Sequence, residues 1–161
     1  MNQADIIERL RRQGWTVEER ADRTLRLPPE VAARYPELPT SLCEFLGGLR
    51  ECVNNSQTVW FLCESDYCGT SGTAFRWDEW ERMSLDAAGG DTPLVASVRD
   101  FWDAHLPFLL SVRDGYAYHA VRTKGDGVGL VVAGREPEFE EPSVVAESFD
   151  QFLTNLLTTG I

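Results

Sequence analysis

Hydrophobic residues recur at helical spacing in five stretches of the chain. Glycines, capping residues and a proline mark most of their ends. The five stretches are a first helix that carries Ile6, Ile7 and Leu10 and ends at Gly14, helices over about residues 39–49 and 78–88, a helix that opens with Thr92 as its N-cap, and a helix between Ser148 and Gly160.

Strands are predicted where β-branched and aromatic residues cluster between turn signals. One such region covers about residues 51–62, and three more, at 106–112, 116–121 and 128–134, are joined by the turns Asp114-Gly115 and "TKGDG". Because the helices flank these strands rather than alternate with them, the pattern predicts an α+β fold. We expect a central, mostly antiparallel sheet that includes a three-stranded meander over about residues 106–134, with N-terminal, middle and C-terminal helices around it.

The length and hydropathy of the chain fit one globular domain over residues 1–161. No apolar run approaches the ~20 residues that a membrane helix needs. The start of the chain, "MNQADIIERLRRQG", lacks the basic and then apolar order of a secretory signal. We therefore expect a cytoplasmic protein that does not insert into a membrane.

The chain is strongly acidic, with 26 Asp and Glu against 15 Lys and Arg and a net charge of −11 at pH 7. Such a surface repels phosphate backbones, so direct nucleic-acid binding is not expected. One interpretation of this excess of acid is solubility alone. The other is a protein partner with a basic face, because complementary charge speeds association.

The cysteines do not complete a metal-binding or redox pattern. The chain has four of them: Cys43, Cys52, Cys63 and Cys68. Cys63 and Cys68 have a spacing that a zinc knuckle could use, but a structural zinc site needs four ligands, and His105 and His119 are too far apart in the sequence to supply the rest. We expect reduced cysteines, no metal and no cofactor.

The two histidines are the candidates for acid–base chemistry. His119 lies in a predicted strand, and Glu64 and Asp66 stand two residues apart, where they would share one face of a strand. A hydrolase that uses His119 with Glu64 or Asp66 is therefore one hypothesis. No serine or cysteine stands in a nucleophile-elbow pattern, however, and we favour a non-enzymatic protein in which His105 and His119 are structural.

The segment "REPEFEEPS" concentrates glutamates around one aromatic residue between two prolines. One interpretation is a solvated edge strand that charge protects from aggregation. The other is a partner-binding edge on which Phe139 projects as an anchor while the glutamates steer a basic surface. The candidate partner-binding residues are Glu64, Asp66, Glu136, Glu138, Phe139, Glu140 and Glu141.

Three stretches together resemble the SUKH superfamily, which includes the yeast cell-wall (glucan) synthesis regulator. "LPTSLCEFLGGL" is similar to the helix that opens the SUKH domain, "LPFLLSVRDGYAYHAV" to its central hairpin and "VVAESFDQFLTNLL" to its closing helix. The resemblance spans about residues 38–157, with the pieces in the family's order. The acidic residue that commonly ends the Tyr-rich strand of the family is replaced here by Val121 and Arg122.

The resemblance implies an α+β fold, no catalytic residues and no cofactor. Bacterial SUKH proteins are typically immunity proteins that bind and neutralise a cognate toxin, frequently a nuclease. An acidic immunity protein facing a basic toxin domain is electrostatically reasonable. The alternative that the family offers is a cytosolic regulator or scaffold of cell-wall synthesis.

Overall fold

Seven strands form one antiparallel sheet in which every strand pairs with its neighbours in the sequence. The computed structural model describes residues 1–161. The strands are β1 (Thr16–Glu19), β2 (Leu49–Val53), β3 (Val59–Phe61), β4 (His105–Ser111), β5 (Ala117–Arg122), β6 (Val131–Arg135) and β7 (Ser143–Ala146). The predicted meander corresponds to β4, β5 and β6, and the α+β fold class is confirmed.

Seven helices accompany the sheet, and five of them correspond to predicted helices. They are α1 (Gln3–Arg12), α2 (Pro29–Arg34), α3 (Thr40–Gly47), α4 (Glu64–Tyr67), α5 (Glu79–Ala88), α6 (Thr92–Asp103) and α7 (Phe149–Thr159). The predicted cap of α6 is wrong by one residue: the carboxylate of Asp91, not Thr92, accepts the Leu94 N–H at 3.1 Å. None of the helices has the length and apolar character that crossing a bilayer requires.

The helices cover both faces of the sheet, and successive residues of β5 contact different layers. Tyr118 packs against Trp102 of α6, with ring centroids 4.8 Å apart, whereas His119 packs against Phe152 of α7 at 4.9 Å. On the His119 face α7 contacts α1 and α3, and on the Tyr118 face α5 contacts α6. The buried hydrophobic residues of both layers form one continuous cluster.

The two edges of the sheet differ in how their backbone is covered. At the β1 edge the guanidinium of Arg11 donates to the Val17 carbonyl at 2.8 Å and contacts Glu19 at 3.2 Å. At the β7 edge the only hydrogen-bonding partner of the strand's backbone is β6. Val144 and Val145 of β7 are 53% and 41% exposed, so this edge is open and partly apolar.

Candidate partner-binding surface

Phe139 is buried, and the prediction that it projects as an anchor is wrong. Its side chain is 3% exposed, and its ring lies parallel to that of Trp80, with centroids 5.7 Å apart. The Tyr118 hydroxyl donates to the Phe139 carbonyl. A phenyl ring gains far more from this aromatic contact than from exposure to water, so the segment folds back onto α5.

Residues 136–141, which we call the acidic segment, form a loop between β6 and β7 rather than a strand. The interpretation of this segment as an edge strand is therefore wrong, and the edge strand begins only at Ser143. The difference follows from Phe139, because the loop must turn inward to bury that ring. The glutamates consequently precede the edge strand instead of alternating along it.

The four glutamates of the acidic segment fall into two pairs. Glu136 accepts the Tyr116 N–H at 3.1 Å, and Glu140 accepts the indole N–H of Trp102 at 2.9 Å. Glu138 and Glu141 are exposed and have no side-chain partner within the protein. The first pair holds the loop in place, and the second pair is available to a partner.

Two further exposed acidic side chains follow β7 in the sequence and add to the negative charge around the strand. Glu147 directly follows the strand, and Asp150 lies in the first turn of α7; both are exposed. Glu138, Glu141, Glu147 and Asp150 together are called the acidic rim below. Sequence reasoning missed Glu147 and Asp150, although the run from residue 136 to the last residue contains six acidic residues and no Lys or Arg.

Glu64 and Asp66 lie on the short helix α4, so the prediction that they share a strand face is wrong. Asp66 accepts the Cys63 N–H at 2.8 Å, which caps α4, and its other oxygen accepts the Thr73 hydroxyl at 3.3 Å. Both contacts are internal, which indicates that Asp66 holds a loop in place.

Glu64 is likewise held by internal partners. It accepts the Arg26 backbone N–H at 2.8 Å and the Arg20 guanidinium at 2.9 Å. Burial acts to raise the pKa of Glu64, but these hydrogen bonds outweigh it, and the pKa is lowered. Glu64 therefore ties the chain after β1 to α4.

His119 is not brought together with Glu64 or Asp66. It lines a cleft of about 420 Å³ beside the C-terminal end of α7, and no Asp or Glu side chain lines that cleft. Its Nδ1 atom is buried without a hydrogen-bond partner, and burial lowers the pKa of the imidazole to about 4. The pairing that the hydrolase hypothesis requires is absent from the geometry.

His105 is enclosed by its own neighbours at the start of β4. Its ring stacks on that of Phe101 with centroids 4.1 Å apart, Nδ1 donates to the Phe101 carbonyl at 2.7 Å, and Nε2 accepts from Arg122 at 3.2 Å. Burial lowers the pKa of His105, and the nearby Arg122 charge adds to this effect. These contacts satisfy both ring nitrogens and correspond to the structural role that we expected.

All four cysteines are free thiols, and Cys52 and Cys63 line the same cleft. Cys52 and Cys63 are buried, and burial raises the pKa of both thiols, to about 12 for Cys63. Cys68 is exposed, at the end of α4. No three His, Cys, Asp or Glu side chains lie together in an arrangement that could hold a metal ion.

Comparison of the chain with protein-family models, with curated proteins and with solved structures finds no significant match.

Proposed function

We propose that this is a non-enzymatic binding protein of the immunity type, which neutralises a bacterial toxin by direct contact through an acidic surface. The proposal rests on the exposure of two glutamates, Glu138 and Glu141. Both carboxylates are exposed and unpaired on a loop that the buried Phe139 fixes in place. Unpaired charges steer a partner of opposite charge, and a loop backbone that is already ordered lowers the cost of binding.

The charge of the whole protein supports a basic partner. The net charge is −11, and a toxin domain that acts on nucleic acid must itself present a basic surface to phosphates. An acidic protein that covers such a surface competes with the substrate of the toxin. The SUKH resemblance supports the same class of function, and the antiparallel meander with helices around it agrees with the fold that the resemblance implies.

Co-expression with the product of the neighbouring gene tests the proposal. We expect the wild-type protein to relieve the toxicity of that product and to bind it when the two are purified together. The double variant Glu138→Lys/Glu141→Lys should weaken the association by at least about tenfold, because charge reversal at the contact removes attraction and adds repulsion. Its far-ultraviolet circular dichroism should remain that of the wild type, since both side chains are exposed.

The matched control is Glu18→Lys/Glu51→Lys, which makes the same change in net charge at the opposite edge of the sheet. Glu18 and Glu51 are exposed and lie across from each other on β1 and β2. This variant should keep its affinity within about twofold, because charges more than a Debye length from the contact are screened. The proposal fails if no neighbouring product binds and no toxicity is relieved, or if both double variants behave alike.

A further inference from the structure

We infer that the open edge of β7 accepts an extended, basic strand of the partner, which lengthens the seven-stranded sheet by one strand. This inference rests on the proposed function, and it names how the partner is recognised. Strand addition to a sheet edge obtains its affinity from main-chain hydrogen bonds and its specificity from side-chain pockets on alternate residues. The β7 edge offers both, together with a charge that selects the partner.

The backbone of β7 is unpaired on its outer side. The last strand of a sheet presents N–H and C=O groups with no partner on its outer side, and natural proteins usually cover or disrupt such an edge. Arg11 covers part of the other edge by donating to the Val17 carbonyl. No side chain covers the β7 edge, where Ser143–Ala146 hydrogen-bond only to β6. The β6–β7 register shifts at Val145, which has no partner residue, so the strand carries a bulge at that position and an added strand would pair on either side of it.

The same strand exposes apolar side chains. Val144 and Val145 are two of the few large hydrophobic residues that the protein exposes, at 53% and 41%. Val145 borders the cleft of about 420 Å³ that His119 and Phe152 also line. Val144 pairs with Val132, which in turn pairs with Ala120, two residues from Tyr118, so Val144 lies on the Tyr118 face of the sheet. An added strand would therefore find an apolar neighbour on each face and a cleft beside one of them.

The charge around β7 favours a basic occupant. Glu141 and Glu147 are exposed just before and just after the strand, and Glu138 and Asp150 continue the acidic rim. No Lys or Arg follows Arg135 in the sequence to neutralise them. A segment that alternates apolar residues with Lys or Arg complements this edge in both hydrogen bonding and charge.

The same charges argue against a second copy of this chain as the occupant. Antiparallel pairing of two β7 strands about a two-fold axis would bring Glu141 of one copy towards Glu147 of the other, twice. Like charges directly opposite each other on paired strands are destabilising. The edge is therefore suited to a different, basic chain.

A short peptide of alternating lysine and valine is the probe that tests the inference. We expect its addition to ¹⁵N-labelled protein at about 0.1 M salt, where the Debye length is about 10 Å, to shift the amide resonances of residues 143–147 most strongly and to slow hydrogen exchange there. A peptide of the same sequence with N-methylated backbone amides keeps the charge but loses the hydrogen-bond donors, and it should bind at least about tenfold more weakly. Equal binding of the two peptides, shifts centred elsewhere, or no binding overturns the inference.

Two single-residue variants test whether the peptide binds at the β7 edge. Val144→Lys places a positive charge on the edge, which should repel the peptide and weaken its binding at least about tenfold. Thr16→Lys makes an equivalent change at the exposed start of β1, and it should leave binding within about twofold. Sedimentation of the wild-type protein should show a monomer; a dimer that Val144→Lys dissociates would assign the edge to a second copy and overturn the inference.

The failure of this inference can be told apart from failure of the proposed function. If the wild-type protein relieves toxicity and Val144→Lys relieves it equally well, the toxin is bound but not through β7. If the wild-type protein relieves no toxicity, the proposed function fails, while the peptide experiment still decides whether the edge accepts a basic strand.

Discussion

The ring of Phe139 and the indole of Trp80 lie parallel, with their centroids 5.7 Å apart and 5° between their planes. Tyr116 stacks on Trp80 at 4.6 Å, and Tyr118 hydrogen-bonds the Phe139 carbonyl. These contacts join the acidic segment to α5 and β5. The loop with the highest density of carboxylates is thus held in place by aromatic burial, so its stability and its charge can be changed separately.

Replacing Phe139 with alanine is expected to destabilise the protein by about 3–5 kcal/mol, because it removes a buried ring and leaves a cavity beside Trp80. Phe139→Leu keeps most of the volume and should cost less. Urea unfolding followed by tryptophan fluorescence measures both. If the alanine variant lost less than about 1 kcal/mol, the ring would have to be exposed in solution, as the sequence alone suggested.

The sequence predicts α7 well, because its apolar positions, its cap at Ser148 and its stop at Gly160 are all local signals. It does not predict α4, which spans only Glu64–Tyr67 and is stabilised by contacts that are distant in the sequence, such as those of Glu64 to Arg20 and Arg26. A helix this short has no periodicity to detect.

The candidate site was predictable in charge but not in shape. A count of charged residues along the sequence locates the acidic segment, because such a count does not depend on how the chain folds. The burial of Phe139 depends on Trp80 and Tyr118, which belong to other elements, and no pattern within "REPEFEEPS" reveals them. The open edge at β7 likewise becomes visible only when the strand order is known, because an edge is a property of the whole sheet.

Arg34 is expected to be important for stability because it neutralises a buried carboxylate. Its guanidinium donates two hydrogen bonds to Glu81, at 2.9 and 2.6 Å, and a third to Asp103 at 2.7 Å. Glu81 is only 7% exposed. Arg34→Ala leaves the Glu81 charge buried and unpaired, which should cost about 3–5 kcal/mol. The double variant Arg34→Leu/Glu81→Leu removes both charges and should cost less.

The control for Arg34 is an exposed ion pair on α1. Arg12 contacts Glu8 one helical turn away, with both side chains more than half exposed. Arg12→Ala should change the free energy of unfolding by less than about 1 kcal/mol, since exposed pairs contribute little. Comparable losses in Arg34→Ala and Arg12→Ala would contradict the buried role of the Arg34–Glu81 pair.

Gly134 is required by a close approach rather than by its backbone conformation. It lies opposite Tyr118 in the β5–β6 ladder, and a β-carbon at this position would stand 2.6 Å from the Tyr118 hydroxyl oxygen and 2.7 Å from two ring carbons. Tyr118 is 1% exposed, and its hydroxyl hydrogen-bonds the Phe139 carbonyl, so the ring is held in place. Gly134→Ala should therefore destabilise the protein by about 1–3 kcal/mol.

Gly90 provides the matched control for this overpacking. A β-carbon at Gly90 meets no atom within 4 Å, and the backbone there does not have a positive φ. Gly90→Ala should leave the melting temperature nearly unchanged, whereas Gly134→Ala lowers it. Equal melting temperatures for the two variants would show that the ring of Tyr118 can shift to accept the methyl group.

The half-buried imidazole of His119, whose Nδ1 atom has no hydrogen-bond partner, predicts that stability falls as the pH is lowered from 7 to 5. Burial lowers the pKa of His119 to about 4 in the folded protein, whereas the unfolded chain binds the same proton near the ordinary value of about 6.5. Between these two values protons bind the unfolded state preferentially, so they favour unfolding. The expected loss is about 2 kcal/mol on going from pH 7 to pH 5.

Urea unfolding of the wild-type protein and of His119→Leu at both pH values measures this contribution. Leucine has a similar volume and no titrating group, so the variant should lose the part of the pH dependence that belongs to His119. His105, whose pKa is also lowered, remains in both proteins, and its share cancels in the comparison. An NMR titration should show the ring protons of His119 unchanged down to about pH 5. A His119 titration near the ordinary pKa, or the same pH dependence in both proteins, would mean that water reaches the imidazole through the cleft beside α7.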